Sequence, residues 1–365
     1  MQSSQQHIHT EIIKVHPTQP EPSIIEQAAG LLRAGELVVF PTETVYGLGA
    51  DTLQTAALER IFVAKGRPFS DPLIVHIADE ASLEQLTTFI PVQARRLASV
   101  FWPGPLTLIL PRGPSVPHLA TAGLETVAIR MPRHPVALAL IRALGSPIAA
   151  PSANRFMHVS PTTAQHAYSD LAGRVPLILD SGPCEVGVES TVLNLCTEPP
   201  IILRPGGVSL EALRTILPDV QPPRQQIANH ADQTAHSETS AQPSPGQLLT
   251  HYAPAIPLLL YDGSVEAMRA AMLLEMKRRQ EQGEYVGVLV ADEDVATFQG
   301  SGAFINTLGK ADDPVQIATA LFAGLRALED AHVHVILCRN FGDHGLGLAI
   351  RDRLLKAAGG KIIDV

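Results

Sequence analysis

Apolar positions recur along this chain with two periods, one helical and one strand-like, and the two take turns. The run IIEQAAGLLRAG repeats at helical spacing and stops at Gly35, which predicts an amphipathic helix. ELVVF, a short continuous apolar run, predicts a buried strand, and PTETVYGLGAD after it reads as a turn-rich loop. ALERIFVAKG predicts a second helix leading into RPFSDPLIVHI. VQARRLASVF predicts a third, followed by strands at LTLIL and VAIRMP, a helix around PVALALIRALG and a loop at IAAPSAN. PLILDSG, STVLNL and PIILRPGG read as short strands separated by glycines. The expected fold is α/β (α+β): a mixed sheet flanked by helices, with the polar residues gathered in the loops.

This pattern breaks between Gln221 and Gln247, where apolar residues almost vanish and the composition becomes that of a linker. Order then returns. IPLLLYD, YVGVLVAD, AFINTL and VHVILCRNF read as strands, and VEAMRAAMLLEMKRRQ, VQIATALFAGLRALEDA and GLAIRDRLLKAA as helices, which together predict a smaller α/β layer. The expected organisation is an N-terminal extension (1–22), a first domain (23–217), a linker (218–255) and a second domain (256–365). There is no internal repeat and no phosphate-loop signature. Gly345-Leu-Gly347 lacks the third glycine of a dinucleotide fingerprint, so the second domain reads as architectural.

Composition narrows the function classes. The 365 residues include 27 Lys+Arg against 36 Asp+Glu, a net charge of −9, which gives a nucleic-acid-coating role little global electrostatic support. With 45% hydrophobic and 17% charged residues, the chain can bury a sizeable core. Cys184, Cys196 and Cys338 form no Cys-x-x-Cys pair and read as reduced thiols. No apolar run reaches the roughly 18 residues of a membrane span, and the first residues are too polar for a signal peptide. The expected location is cytoplasmic.

Several polar residues are candidates for chemistry. Lys65 and Arg67, bracketed by Gly66 and Pro68, are expected to leave the helix and face one side of an extended segment, where two cations could grip an anion; a solvated surface pair is the alternative. Ser152 and Asn154 in APSAN repeat the same spacing and could donate to phosphate oxygens, or simply form a turn or cap. In PTETVYGLGAD the glycines would let the backbone approach a ligand that threonine hydroxyls also line. Arg130 and Arg204 each close a strand, a placement suited to carboxylate or phosphate recognition. His76 is either a core histidine or a binding group, and Ser190 and Thr191 either strand-edge hydroxyls or ligand contacts.

Taken together and in order, PTETVYGLGAD, KGRP, APSAN, ESTV and RPGG resemble the YrdC/Sua5 family of threonylcarbamoyl-AMP synthases. The resemblance extends through SPGQLLTHYAP into the tail, which looks like the Sua5-type C-terminal domain. It implies a YrdC-like twisted mixed sheet and a Rossmann-like C-terminal domain. The implied activity condenses L-threonine, bicarbonate and ATP, with Mg²⁺ held through the ATP phosphates, into threonylcarbamoyl-adenylate and pyrophosphate. That product serves N6-threonylcarbamoyladenosine formation in tRNA through a separate transferase complex, so contact with tRNA itself is expected to be indirect or weak. No covalent nucleophile is required.

Residue by residue, the resemblance implies that Lys65, Arg67, Ser152 and Asn154 form the catalytic phosphate grip. Asp71, Thr126, Ser160, Arg204 and Tyr252 join them on the nucleotide side, while Thr44, His76, Arg130, Ala150 and Ser190 surround threonine. Discrimination against serine would rest on one methyl contact, worth about 1–3 kcal/mol. Tyr252 belongs to a linker segment expected to fold over the site as a lid. Asp71 stands where many relatives carry Asn, and a carboxylate beside a triphosphate is unfavourable unless it points toward metal or solvent. Two other readings compete: a non-catalytic RNA-binding module, and a carbamoyl-transfer enzyme of hydrogenase maturation. The latter expects zinc-finger cysteines and an acylphosphatase-like segment, and this sequence has neither.

Overall fold

The structure, a computed structural model, describes residues 8–223, 242, 244 and 253–365. The first half begins β1 (Glu11–Lys14), α1 (Pro22–Arg33), β2 (Val38–Phe40), β3 (Gly47–Asp51), α2 (Thr55–Lys65) and β4 (Ile74–His76). It continues with α3 (Leu83–Leu86), α4 (Val92–Phe101), β5 (Leu106–Pro111), β6 (Thr126–Arg130), α5 (Pro135–Leu144) and β7 (Ile148–Ala149). After these come α6 (Ala164–Leu171), β8 (Leu177–Asp180), β9 (Thr191–Asn194), β10 (Ile201–Arg204) and α7 (Leu210–Ile216). Among the described residues these strands form one mixed sheet in the order β1-β8-β2-β3-β7-β4-β6-β5-β9-β10.

Both faces of this sheet are covered, and the strand period of two explains how. Val38 and Phe40 of β2 pack with Ile25, Ala29 and Leu32 of α1 and Val136 and Leu140 of α5. Val39, between them, points to the opposite core with Leu58, Leu97, Leu171 and Leu213 of α2, α4, α6 and α7. Strands buried on both faces read as unbroken apolar runs, as β2 and β5 do.

Two segments depart from the sequence reading. Half of PTETVYGLGAD is strand, because β3 pairs with both β2 and β7. Gly49 serves packing there: a Cβ would lie 2.8 Å from the Phe40 ring and 2.9 Å from Ile148. The extension is not separate from the sheet, since β1 pairs in parallel with β8 along its edge.

The second half comprises β11 (Leu258–Asp262), α8 (Val265–Glu281), β12 (Val286–Val290), α9 (Val295–Phe298) and β13 (Phe304–Thr307). It ends with α10 (Pro314–Asp330), β14 (Val335–Arg339), α11 (Gly347–Ala357) and β15 (Ile362–Asp364). Its strands are all parallel, in the order β13-β12-β14-β11-β15, a doubly wound layer. Met268, Met272 and Met276, one turn apart on α8, cover one face. On the other face, α10 and α11 share a single core with Val45, Val159 and Val188 of the first domain. The second domain is therefore fused to the first through buried surface. Among the described residues no helix is long and apolar enough to cross a membrane.

Candidate active site

Lys65 is the last residue of α2, so it does not leave the helix as its place between Ala64 and Gly66 suggested. Gly66, in the left-handed conformation at φ 66°, caps the helix and turns the chain so that the Lys65 and Arg67 side chains leave in different directions. The Lys65 side chain is buried, and its ammonium donates to the carbonyl of Ser152 at 2.6 Å and to that of Asn154. KGRP and APSAN are thus in direct contact through one side chain. Burial, with Arg67 nearby, pushes Lys65 well below the ordinary lysine range. Asn154 differs from the expected phosphate donor: its Nδ2 is engaged with the carbonyls of Arg155 at 2.9 Å and His158 at 2.7 Å, which shapes the loop.

Arg67 is buried and anchored by its own loop, donating to the carbonyls of Asp71 at 3.2 Å and Pro72 at 2.7 Å. Its guanidinium also meets the Asp71 carboxylate at 3.0 Å. Asp71 is thus buried away from solvent, and its carboxylate is accommodated by Arg67. Burial raises the Asp71 pKa, opposed by Arg67, Lys65 and Arg204.

At the other end of the cleft, β4 and β6 run parallel with His76 opposite Arg130. Arg130 donates to Thr44 Oγ1 at 2.9 Å and to the Gly104 carbonyl at 3.2 Å, and pairs with Glu43 at 2.7 Å. Thr42 and Thr44 share a hydroxyl contact at 2.8 Å, and Thr42 also bonds the Val45 carbonyl. The His76 Nδ1 lies 3.1 Å from the Ile74 carbonyl. Burial, then Arg130, lowers the His76 pKa to about 3, so the ring is neutral at physiological pH.

Between these ends stands ESTV. The Ser190 and Thr107 hydroxyls hydrogen-bond each other at 2.7 Å, and Arg204 donates to the Ser190 carbonyl at 3.0 Å and to its hydroxyl at 3.2 Å. Glu189 accepts from Ser160 Oγ at 2.5 Å and from Arg353 Nε of α11 at 2.7 Å. These groups surround a solvent-open cleft lined by both polar and apolar side chains. Thr44, Arg67, His76, Arg130, Ala150, Ser152, Ser190 and Arg204 line it directly. Lys65, Asp71 and Ser160 lie one contact behind, on Ser152, Arg67 and Glu189 respectively, and Asn154 lies one further back, on Lys65. Thr126 stands at the opposite end of β6 from Arg130, paired with Pro111, and does not line the cleft.

Sequence reasoning missed three charged groups of the site. Glu43 and Glu189 sat inside the quoted motifs, where a carboxylate accompanying a predicted buried arginine was the available signal. Nothing local marked Arg353. Tyr252 lies outside the described residues. Nearby described positions contact the two gripping loops, with the Gln242 amide donating to Ser70 and the Ala253 amide to Met157.

A family model described as telomere recombination matches residues 30–206. A second, described as the C-terminal domain of threonylcarbamoyl-AMP synthase, matches residues 208–359. The chain is 46% identical to a Bacillus subtilis threonylcarbamoyl-AMP synthase over 93% of its own length and 94% of that protein. To the Pyrococcus abyssi threonylcarbamoyl-AMP synthase it is 43% identical, over 93% and 96%. The crystal structure of P. abyssi Sua5 complexed with L-threonine superposes with a TM-score of 0.88 at 41% identity, covering 97% of this chain and 99% of that one. On likeness that spans both domains, the chain belongs to the YrdC/Sua5 family of threonylcarbamoyl-AMP synthases, in its two-domain form.

Proposed function

We propose that this cleft joins L-threonine, bicarbonate and ATP into threonylcarbamoyl-AMP and pyrophosphate, with the two substrates held at opposite ends. The observation that carries this reading is that three buried arginines, Arg67, Arg130 and Arg204, line one cleft, each anchored by a different set of partners. Arg130, with Thr44, His76 and Ala150, forms one end, while Arg67 and Arg204, backed by Lys65, form the other. Three contacts on Arg130 leave two of its five N–H groups for the threonine carboxylate. The apolar wall of Val45, Ile74 and Ala150 suits the methyl group.

The threonine amine and bicarbonate give a carbamate with loss of water. A carbamate oxygen then attacks the α-phosphorus, the bond to the bridging oxygen of the β-phosphate breaks, and pyrophosphate leaves with the electron pair. Two anions must meet, so positioning and charge offset supply the catalysis. Arg67 and Arg204 neutralise the phosphates. Lys65 acts from beneath, holding the Ser152 and Asn154 carbonyls so that Ser152 faces the cleft. ATP enters as its Mg²⁺ complex, with phosphates as the ion's main ligands, since Asp71 and Glu189 are already engaged by Arg67 and Arg353. The adenylate then passes to a tRNA threonylcarbamoyltransferase complex for N6-threonylcarbamoyladenosine formation.

The test is pyrophosphate release by the purified chain with ATP and bicarbonate, with and without L-threonine, for wild type and Lys65→Ala. Threonine-dependent release that is lost in the variant is the expected result. No release from folded protein under any of these conditions would overturn the reading.

A further inference from the structure

Glu189 borders a cleft read as a polyphosphate site, where a carboxylate is electrostatically out of place. Both its oxygens are used: Oε1 holds the Ser160 hydroxyl and Oε2 the Arg353 guanidinium. Arg353 is fully buried, comes from α11 of the second domain and is 164 positions away in sequence. Behind it the charges alternate. Arg353 Nη1 meets Asp352 at 2.5 Å, and Asp352 meets Lys356 at 2.9 Å. Burial pushes Glu189 upward, but Arg353, Arg204 and Ser160 outweigh it and hold the carboxyl below its usual range, so it stays an anion in the cleft wall.

The domains are stapled elsewhere too. Arg326 of α10 bonds the Val159 carbonyl and pairs with Asp170 at 2.8 Å, and Thr319 donates to the Glu185 carbonyl at 2.9 Å. At Gly187 α10 comes so close that a Cβ would sit 2.3 Å from Thr319 Cα. These contacts dock the second domain without touching the cleft lining. Arg353 differs from them because its acceptor lines the cleft and also holds the Ser160 hydroxyl just behind it.

We propose that Arg353 is a positioning residue of the active cleft: the second domain completes the polyphosphate end by neutralising Glu189 and, through it, fixing Ser160. This rests on the reading of that end as the ATP site. The second domain is then more than the architectural layer its sequence suggested. Removing Arg353 would leave the Glu189 carboxylate facing the phosphates without its ion-pair partner, whereas removing the Glu189 charge would make that wall more positive, with Arg353 still paired to Asp352. The two changes act on ATP with opposite signs, an outcome that loss of packing does not produce.

The experiment is calorimetric titration of the full chain with Mg·ATP alone and with L-threonine alone. Arg353→Met is expected to weaken ATP binding about tenfold while threonine binding stays within twofold. Glu189→Gln is expected to bind ATP at least as tightly as wild type, and the double variant to return within threefold of it. ATP affinity in Arg353→Met within threefold of wild type would overturn the inference, as would equal weakening of both ligands. If Arg353→Met does not fold, the Glu189→Gln titration decides: weakened ATP binding there refutes the inference. A wild-type chain that binds no ATP would instead refute the underlying reading of the site.

Discussion

The Arg130 guanidinium meets the Glu43 carboxylate at 2.7 Å, and both side chains are buried. Glu43 offsets the charge while Thr44 Oγ1 and the Gly104 carbonyl aim the fork, so one arginine serves both fold and substrate. Breaking such a pair from one side strands a buried charge, at a cost of about 3–5 kcal/mol. Arg130→Met is therefore expected to lose stability of that order in urea unfolding and to weaken threonine binding at least tenfold. Adding Glu43→Gln should recover most of the stability and none of the threonine affinity. Recovery of both would show that Arg130 does not touch threonine.

Lys65 makes the corresponding link at the phosphate end. Replacing it with Met leaves the Ser152 and Asn154 carbonyls without their donor, which costs about 1–3 kcal/mol per buried group. Pyrophosphate release is expected to fall at least a hundredfold, and Lys65→Arg not to restore it, because a planar fork does not fit where a point-like ammonium sits between two carbonyls. The charged form is the active one and its pKa is lowered. Activity should decline as pH rises, with the midpoint well below the ordinary lysine value of 10.5. A basic limb at or above 10.5 would contradict this placement of Lys65.

Asp71 places a negative charge against Arg67, in the same cleft wall that is to receive phosphates. Arg67 keeps its bonds to the Asp71 and Pro72 carbonyls whatever the residue 71 side chain carries. Asp71→Asn is thus expected to stay folded and to lower the KM for ATP, by roughly tenfold if about 1.4 kcal/mol of repulsion is removed. A raised KM would mean that the carboxylate organises Arg67 for binding more than it opposes the phosphates.

Much of this arrangement was legible because it is local. The period of two in ELVVF and the helical period of IIEQAAGLLRAG each record which face is buried, and those faces are the ones found packed. The arginines at the ends of β6 and β10 were legible too, as charges closing apolar strands. What stayed hidden was non-local or subtle. Two glycines made β3 read as a turn, although Gly49 makes room for Phe40 and Ile148 and Gly47 sits against Phe40 in the cleft wall. That Lys65 stays on α2 depended on a left-handed cap at Gly66. Arg353 joined the site only through the docking of a second domain, which no window of sequence encodes.

His76 gives the last prediction, and its sign follows from burial. The ring is neutral in the folded chain, with a pKa near 3, whereas the unfolded chain takes up a proton near 6.5. Between those values the unfolded state binds more protons, so stability rises with pH across this window and falls on acidification, by up to about 1.4 kcal/mol per pH unit. His134 and His166, also lowered by burial, add to the same slope. Urea unfolding of His76→Gln between pH 5 and 7 should therefore show a shallower slope than wild type, by close to one proton at the acid end. In the folded protein the neutral ring stays neutral, so threonine affinity is expected to be flat from pH 6 to 8. An inflection near 6.5 that disappears in His76→Gln would place a titrating, exposed imidazole in the cleft and refute the buried neutral one.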